Sequence, residues 1–125
     1  MGLYTLTVVT DFSASHIIPG HPGKCARLHG HNWKVEISVQ SRALNALGMA
    51  VDFADVKKIA KSVIDEVDHR HLNDIPPFNT LSPTAENVSA WLHQRLAAVI
   101  NTPQVTVSAV TLWETDRSRV QYSEE

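Results

Sequence analysis

The sequence predicts an α+β fold of one domain, residues 1–125, with two helices on one face of an antiparallel sheet in the order β-β-α-α-β-β. Three observations carry that prediction. Residues 29–40 alternate apolar and polar with period two. Two later segments repeat apolar residues at helical spacing, each behind a helix-start signal. Two short β-rich runs then close the chain around Asp116.

Leu3 to Phe12 is rich in β-branched and aromatic residues and reads as the first strand. From His16 to Gly23 the prolines and glycines turn the chain into a loop. In the second strand His29, His31, Trp33, Val35, Ile37 and Val39 share one face, and Asn32, Lys34, Glu36, Ser38 and Gln40 share the other. Asp52 caps a helix over residues 53–67, with Val56, Ile59, Ala60, Val63 and Val67 as its apolar stripe. Ser82-Pro83 opens a second helix with proline at its first position. Its stripe is Val88, Trp91, Leu92, Leu96, Val99 and Ile100, which leaves His93 on the solvated side. Residues 104–114 and 117–123 form the closing hairpin. A four-stranded sheet with two free edges exposes unpaired backbone groups, so edge-to-edge assembly into an oligomer is expected.

Composition narrows the function. Hydrophobic residues make up 43% and charged residues 19%, as in ordinary globular proteins. A net charge of -2 and the lack of a basic run argue against a nucleic-acid or anionic-membrane partner. No segment is apolar for long enough to span a bilayer, and Met1-Gly2-Leu3-Tyr4-Thr5 does not begin a signal sequence. A lone cysteine forms no intrachain disulfide, so a reducing cytoplasm is the expected compartment.

The chemistry concentrates around Cys25-Ala26-Arg27-Leu28-His29-Gly30-His31. Histidines two apart on a strand point to one face, and His16 can join them from the first strand. Three imidazoles hold zinc with a fourth position open to substrate, the catalytic arrangement. Cys25 has three readings: a fourth zinc ligand, a thiolate base or nucleophile favoured by Lys24 and Arg27, or a buried thiol. Asp68-His69 is either an oriented proton shuttle or a helix-terminating pair. Glu114, at a strand end, can accept two parallel N–H bonds from a guanidine-like heterocycle, or is a solvated acid.

Taken together, Phe12-Ser13-Ala14-Ser15-His16, Gly23-Lys24-Cys25, His29-Gly30-His31-Asn32, Val51-Asp52-Phe53, Asp68-His69, Leu72-Asn73, Pro83-Thr84-Ala85-Glu86-Asn87 and Glu114-Thr115 form a specific series. In that order and spacing the chain resembles, over essentially its whole length, the 6-pyruvoyl-tetrahydropterin and 6-carboxytetrahydropterin synthase family. The resemblance implies the tunnelling fold, with trimers closing a twelve-stranded barrel and two trimers stacking into a hexamer. It implies zinc on His16, His29 and His31, Cys25 as general base, Asp68 and His69 as proton relay, and Glu114 as anchor of the pterin ring. Lys24 and Arg27 are either contacts for the triphosphate or solvated loop charges.

The three residues between Cys25 and His29, with Leu72-Asn73-Asp74-Ile75-Pro76, resemble the bacterial carboxy branch of queuosine biosynthesis. The implied reaction converts 7,8-dihydroneopterin triphosphate to 6-carboxytetrahydropterin. Glu86-Asn87-Val88 and Glu114-Thr115-Asp116 resemble the pyruvoyl branch as well. A non-catalytic zinc module, with Cys25 as fourth ligand, is the reading from a different class.

Overall fold

The computed structural model of the chain describes residues 2–124. A long antiparallel hairpin organises it. Strand β1 (Tyr4–His16) pairs with β2 (His29–Ser41) without a break, from Tyr4 opposite Ser41 to His16 opposite His29. Helix α1 (Phe53–Ile64) follows, then a two-residue strand β3 (Arg70–His71), helix α2 (Ala85–Ile100), β4 (Val105–Thr115) and β5 (Ser118–Tyr122). The sheet order is β3-β1-β2-β4-β5. Among the described residues only β3, beside Ala14 and Ser15, runs parallel to its neighbour.

The expected order of four strands and two helices is present, with β3 added. Strand β1 also runs further than the composition suggested, so that His16 ends a strand instead of opening a loop. Helix α1 starts where Asp52 caps it, the carboxylate accepting from Ala54 N at 2.8 Å. It stops at Ile64, short of the expected residue 67, because the last turn tightens: Glu66 N donates to Val63 O and Val67 N to Ile64 O. Val67 still closes the apolar stripe and is fully buried. Helix α2 begins at Ala85, not at Pro83. Thr84 is the N-cap, its hydroxyl accepting from Asn87 N at 3.1 Å.

The core lies between the helices and one sheet face. Phe12, Trp33, Val35, Ile37, Val107, Val110 and Leu112 meet Val56, Ala60, Val63, Val88, Leu92 and Leu96 there. A bulge opposite Ser38 and Val39 leaves Ser108 unpaired, which moves the inward positions of β4 from Val107 to Val110 and Leu112. Two expectations for α2 are corrected. His93 is 3% exposed, its Nε2 lying 3.1 Å from Val107 O, because β4 and β5 pack against that flank of the helix. Val99 is 61% exposed, at the far margin of the stripe. Along β1, β3 covers only Ala14 and Ser15, so among the described residues most of its outer edge is unpaired.

Candidate active site

The β1–β2 register builds a three-histidine cluster at the open end of the hairpin. His16 faces His29 directly, and His31 lies two residues along the same side, opposite Ala14. Ring centroids are 4.4 Å apart for His16 and His29, 4.9 Å for His29 and His31, and 5.2 Å for His16 and His31. Trp33 is the floor, edge-on to His16 and His31, and its indole N–H donates to Ala14 O at 3.2 Å.

Backbone carbonyls orient two of the rings. His16 Nδ1 donates to Pro83 O at 2.8 Å and His29 Nδ1 to Arg27 O at 2.7 Å. These bonds place the proton on Nδ1 and leave the Nε2 lone pairs free, the tautomer a metal requires. One candidate donor atom from each histidine lies within 4.8 Å of the others. Nε2 of His16 and of His31 are buried without a hydrogen-bond partner. Buried polar atoms are nearly always satisfied, so such a pair is the signature of a site built for an ion. Burial is also the main force lowering the pKa of both histidines, which keeps them neutral and able to ligate. The residues therefore fit a metal.

Glu114 sits over this cluster. Its carboxylate is 3.9 Å from His16 Nε2 and 3.8 Å from His31 Nε2. Cys25 lies in a single 3-10 turn, Lys24–Ala26, tied back by Ile18 N donating to Cys25 O at 2.7 Å. The cluster of possible ligands holds the three histidines and not Cys25. Lys24 and Arg27 are exposed on the same loop.

Asp68 and His69 do touch, although adjacency in sequence does not require it. The carboxylate Oδ1 is 2.9 Å from His69 Nδ1 and accepts from Ser13 N at 2.9 Å. His69 N donates in turn to Ser13 O at 2.6 Å. Both backbone groups of Ser13 thus latch the pair onto β1. The N–H from Ser13 is the leading cause that lowers the Asp68 pKa, with His69 adding to it, so Asp68 stays an anion. His69 has φ of 58°, a left-handed conformation unusual for a residue with a Cβ. Its side chain is 81% exposed.

Several supporting residues belong to the motif series in the sequence but have no role assigned to them there. The Asn73 amide holds both backbone groups of Ile17 at 2.9 Å, fixing the chain just after His16. Pro83, read as a helix residue, supplies a carbonyl to His16. Ser15 Oγ is 3.0 Å from His71 Nδ1. In the sequence, only the repeated histidine in Asp68-His69-Arg70-His71 hints at this last contact.

Comparison with known proteins identifies the family. A family model described as 6-pyruvoyl tetrahydropterin synthase matches residues 5–125. The 6-carboxy-5,6,7,8-tetrahydropterin synthase of Haemophilus influenzae is 29% identical, the match covering 98% of this chain and 100% of that protein. The 6-pyruvoyl tetrahydrobiopterin synthase of Pongo abelii is 36% identical over 107 residues, covering 82% of this chain and 72% of that protein. The structure of Caenorhabditis elegans 6-pyruvoyl tetrahydropterin synthase superposes with a TM-score of 0.90 at 30% identity, over 100% of this chain and 98% of that one. The chain belongs to the 6-pyruvoyl tetrahydropterin synthase family and has its tunnelling fold.

Proposed function

We propose that the chain is a zinc-dependent lyase converting 7,8-dihydroneopterin triphosphate and water to 6-carboxy-5,6,7,8-tetrahydropterin, acetaldehyde and triphosphate. The observation that carries this reading is the pair of buried, unpartnered Nε2 atoms on His16 and His31, beside His29 and under Glu114. His16, His29 and His31 would hold zinc, which would supply a Lewis acid for the side-chain oxygens of the substrate.

The chain's own groups do the rest. Glu114 accepts the paired N–H donors of the pterin and fixes the ring. Cys25, as thiolate, takes a carbon-bound proton from the substrate side chain. His69, held by Asp68, returns protons to the rearranging groups. Lys24 and Arg27 offer charge to the triphosphate. Relatives carry both the carboxy and the pyruvoyl names. The short spacer from Cys25 to His29 favours the carboxy product and a role in queuosine biosynthesis. The edge of β1, mostly unpaired among the described residues, favours assembly as a trimer or a dimer of trimers, and the lone Cys25 favours a reducing cytoplasm.

Mass analysis of the product from zinc-loaded protein and dihydroneopterin triphosphate tests the reading. A 6-carboxypterin with acetaldehyde supports it, a pyruvoyl product moves the chain to the other branch, and no turnover refutes both. Cys25→Ala is expected to keep zinc and lose turnover. Loss of zinc from that variant would favour the binding module instead.

A further inference from the structure

Two asparagines from different loops hold His16. Asn73, in the turn after β3, binds both backbone groups of Ile17 at 2.9 Å. Asn87, in the first turn of α2, reaches the segment that carries Pro83, whose carbonyl accepts from His16 Nδ1. The Asn87 side-chain amide donates to Ser82 O at 2.9 Å, and its backbone N–H donates to Thr84 Oγ1 at 3.1 Å. Two bonds from one residue therefore straddle the Pro83 carbonyl.

The segment has little else to fix it. Pro83 has no N–H to donate. Among the described residues neither Ser82 nor Pro83 makes a backbone–backbone hydrogen bond, and Ser82 Oγ is buried without a partner. Asn87 stands on a rigid base, since Val88, Ser89 and Leu92 of the same helix are 0% exposed. The cap itself uses only the backbone N–H of Asn87, which almost any residue would supply. Its side-chain amide is thus spent on Ser82 O for another reason. The direction of Pro83 O decides which nitrogen of His16 carries the proton. With the carbonyl turned away, the buried ring would hold an unsatisfied Nδ1–H or move that proton to Nε2, the atom an ion needs.

We propose that Asn87 is a positioning residue for the metal site. Its side-chain amide fixes the Pro83 carbonyl, and through that carbonyl the ring and tautomer of His16, so that Nε2 is the nitrogen left for the ion. The first turn of α2 is then part of the metal site's support, although it contributes no ligand. This inference rests on the reading of His16, His29 and His31 as a metal site. It is independent of which pterin product forms.

Competition between the full-length protein and a chelator for zinc measures the affinity without turnover. Asn87→Asp keeps the size of the side chain but not its donor, and an acid in the first turn suits a helix N-terminus, so the fold should hold. Asn87→Leu removes the donor without adding a charge. Both variants are expected to bind zinc about ten-fold more weakly. In the metal-free variants, nitrogen NMR should show the His16 proton shared between Nδ1 and Nε2, where the wild type keeps it on Nδ1. Thr84→Ala is the comparison. It removes the cap but leaves the amide bond to Ser82 O and the bond from Val88 N to Thr84 O. Its zinc affinity should stay at the wild-type level although its fold is less stable. Wild-type affinity in either Asn87 variant, an unshifted His16 tautomer, or an equal loss in Thr84→Ala overturns the positioning role and leaves the metal site standing. Failure of the wild-type protein to bind zinc overturns the metal reading, and the positioning role with it.

Discussion

Stripping the metal should cost this protein a large share of its thermal stability. His16 is 1% exposed, and its Nε2 and that of His31 are buried without partners. Each such atom costs about 1–3 kcal/mol when nothing satisfies it. An ion bound only by the folded chain, at a thousand times its dissociation constant, stabilises by about 4 kcal/mol. Unfolding 125 residues changes the entropy by about 260 cal/mol/K near 60 °C, so the gain corresponds to a rise of about 16 °C in Tm. Scanning calorimetry of chelator-treated protein, before and after zinc is restored, measures it. His29→Ala is the control, because His29 contributes no buried unpartnered atom. That variant should match the metal-free wild type within about 1 kcal/mol and lose the zinc-dependent rise. An unchanged Tm on zinc addition, or a full rise in His29→Ala, would refute the reasoning.

Three further outcomes follow from the same contacts. Asp68→Asn keeps an acceptor for Ser13 N but removes the charge beside His69, so kcat should fall by about 100-fold or more with zinc content unchanged; steady-state kinetics and metal analysis check this. Thr84→Ala removes the α2 cap and should cost about 1 kcal/mol in urea denaturation at constant m-value. Glu66, whose carboxylate accepts from the Arg95 guanidinium, has its pKa lowered chiefly by that bond. A lowered acid stabilises above its ordinary value near 4.5 and loses that contribution as pH falls below it. Both side chains are more than a third exposed, so Glu66→Gln should cost under about 1 kcal/mol at pH 7, with the difference vanishing in acid.

Where one period dominated, the sequence was legible. The alternation in residues 29–40 placed both the face of β2 and the two histidines on it. Registry with β1 was not in the pattern, and it is registry that brings His16 opposite His29. The stripe misplaces His93 because it reports one packing partner, whereas α2 packs against α1, β4 and β5. Val67 was assigned to a helix for its spacing alone. The chain buries the same side chain from a tightened turn, which frees Asp68 and His69 to swing onto Ser13. Contacts made through backbone atoms, such as Pro83 O on His16, leave no mark on side-chain composition. The orphaned Nε2 atoms were likewise invisible, since a sequence shows which donors exist and not which lack a partner.

His16 and His29 are the final rung of the β1–β2 ladder, and residues 17–28 loop between them with Cys25 on board. An ion gripping both rings would therefore be a cross-link as well as a Lewis acid. It closes that loop as a disulfide closes a loop in a secreted protein, in a chain whose single cysteine can form none. The thiol's freedom to wander is then tied to metal occupancy. Limited proteolysis in the loop should be slow with zinc and fast with chelator, which makes protease sensitivity a reporter of how firmly the tether of the Cys25 thiol is held.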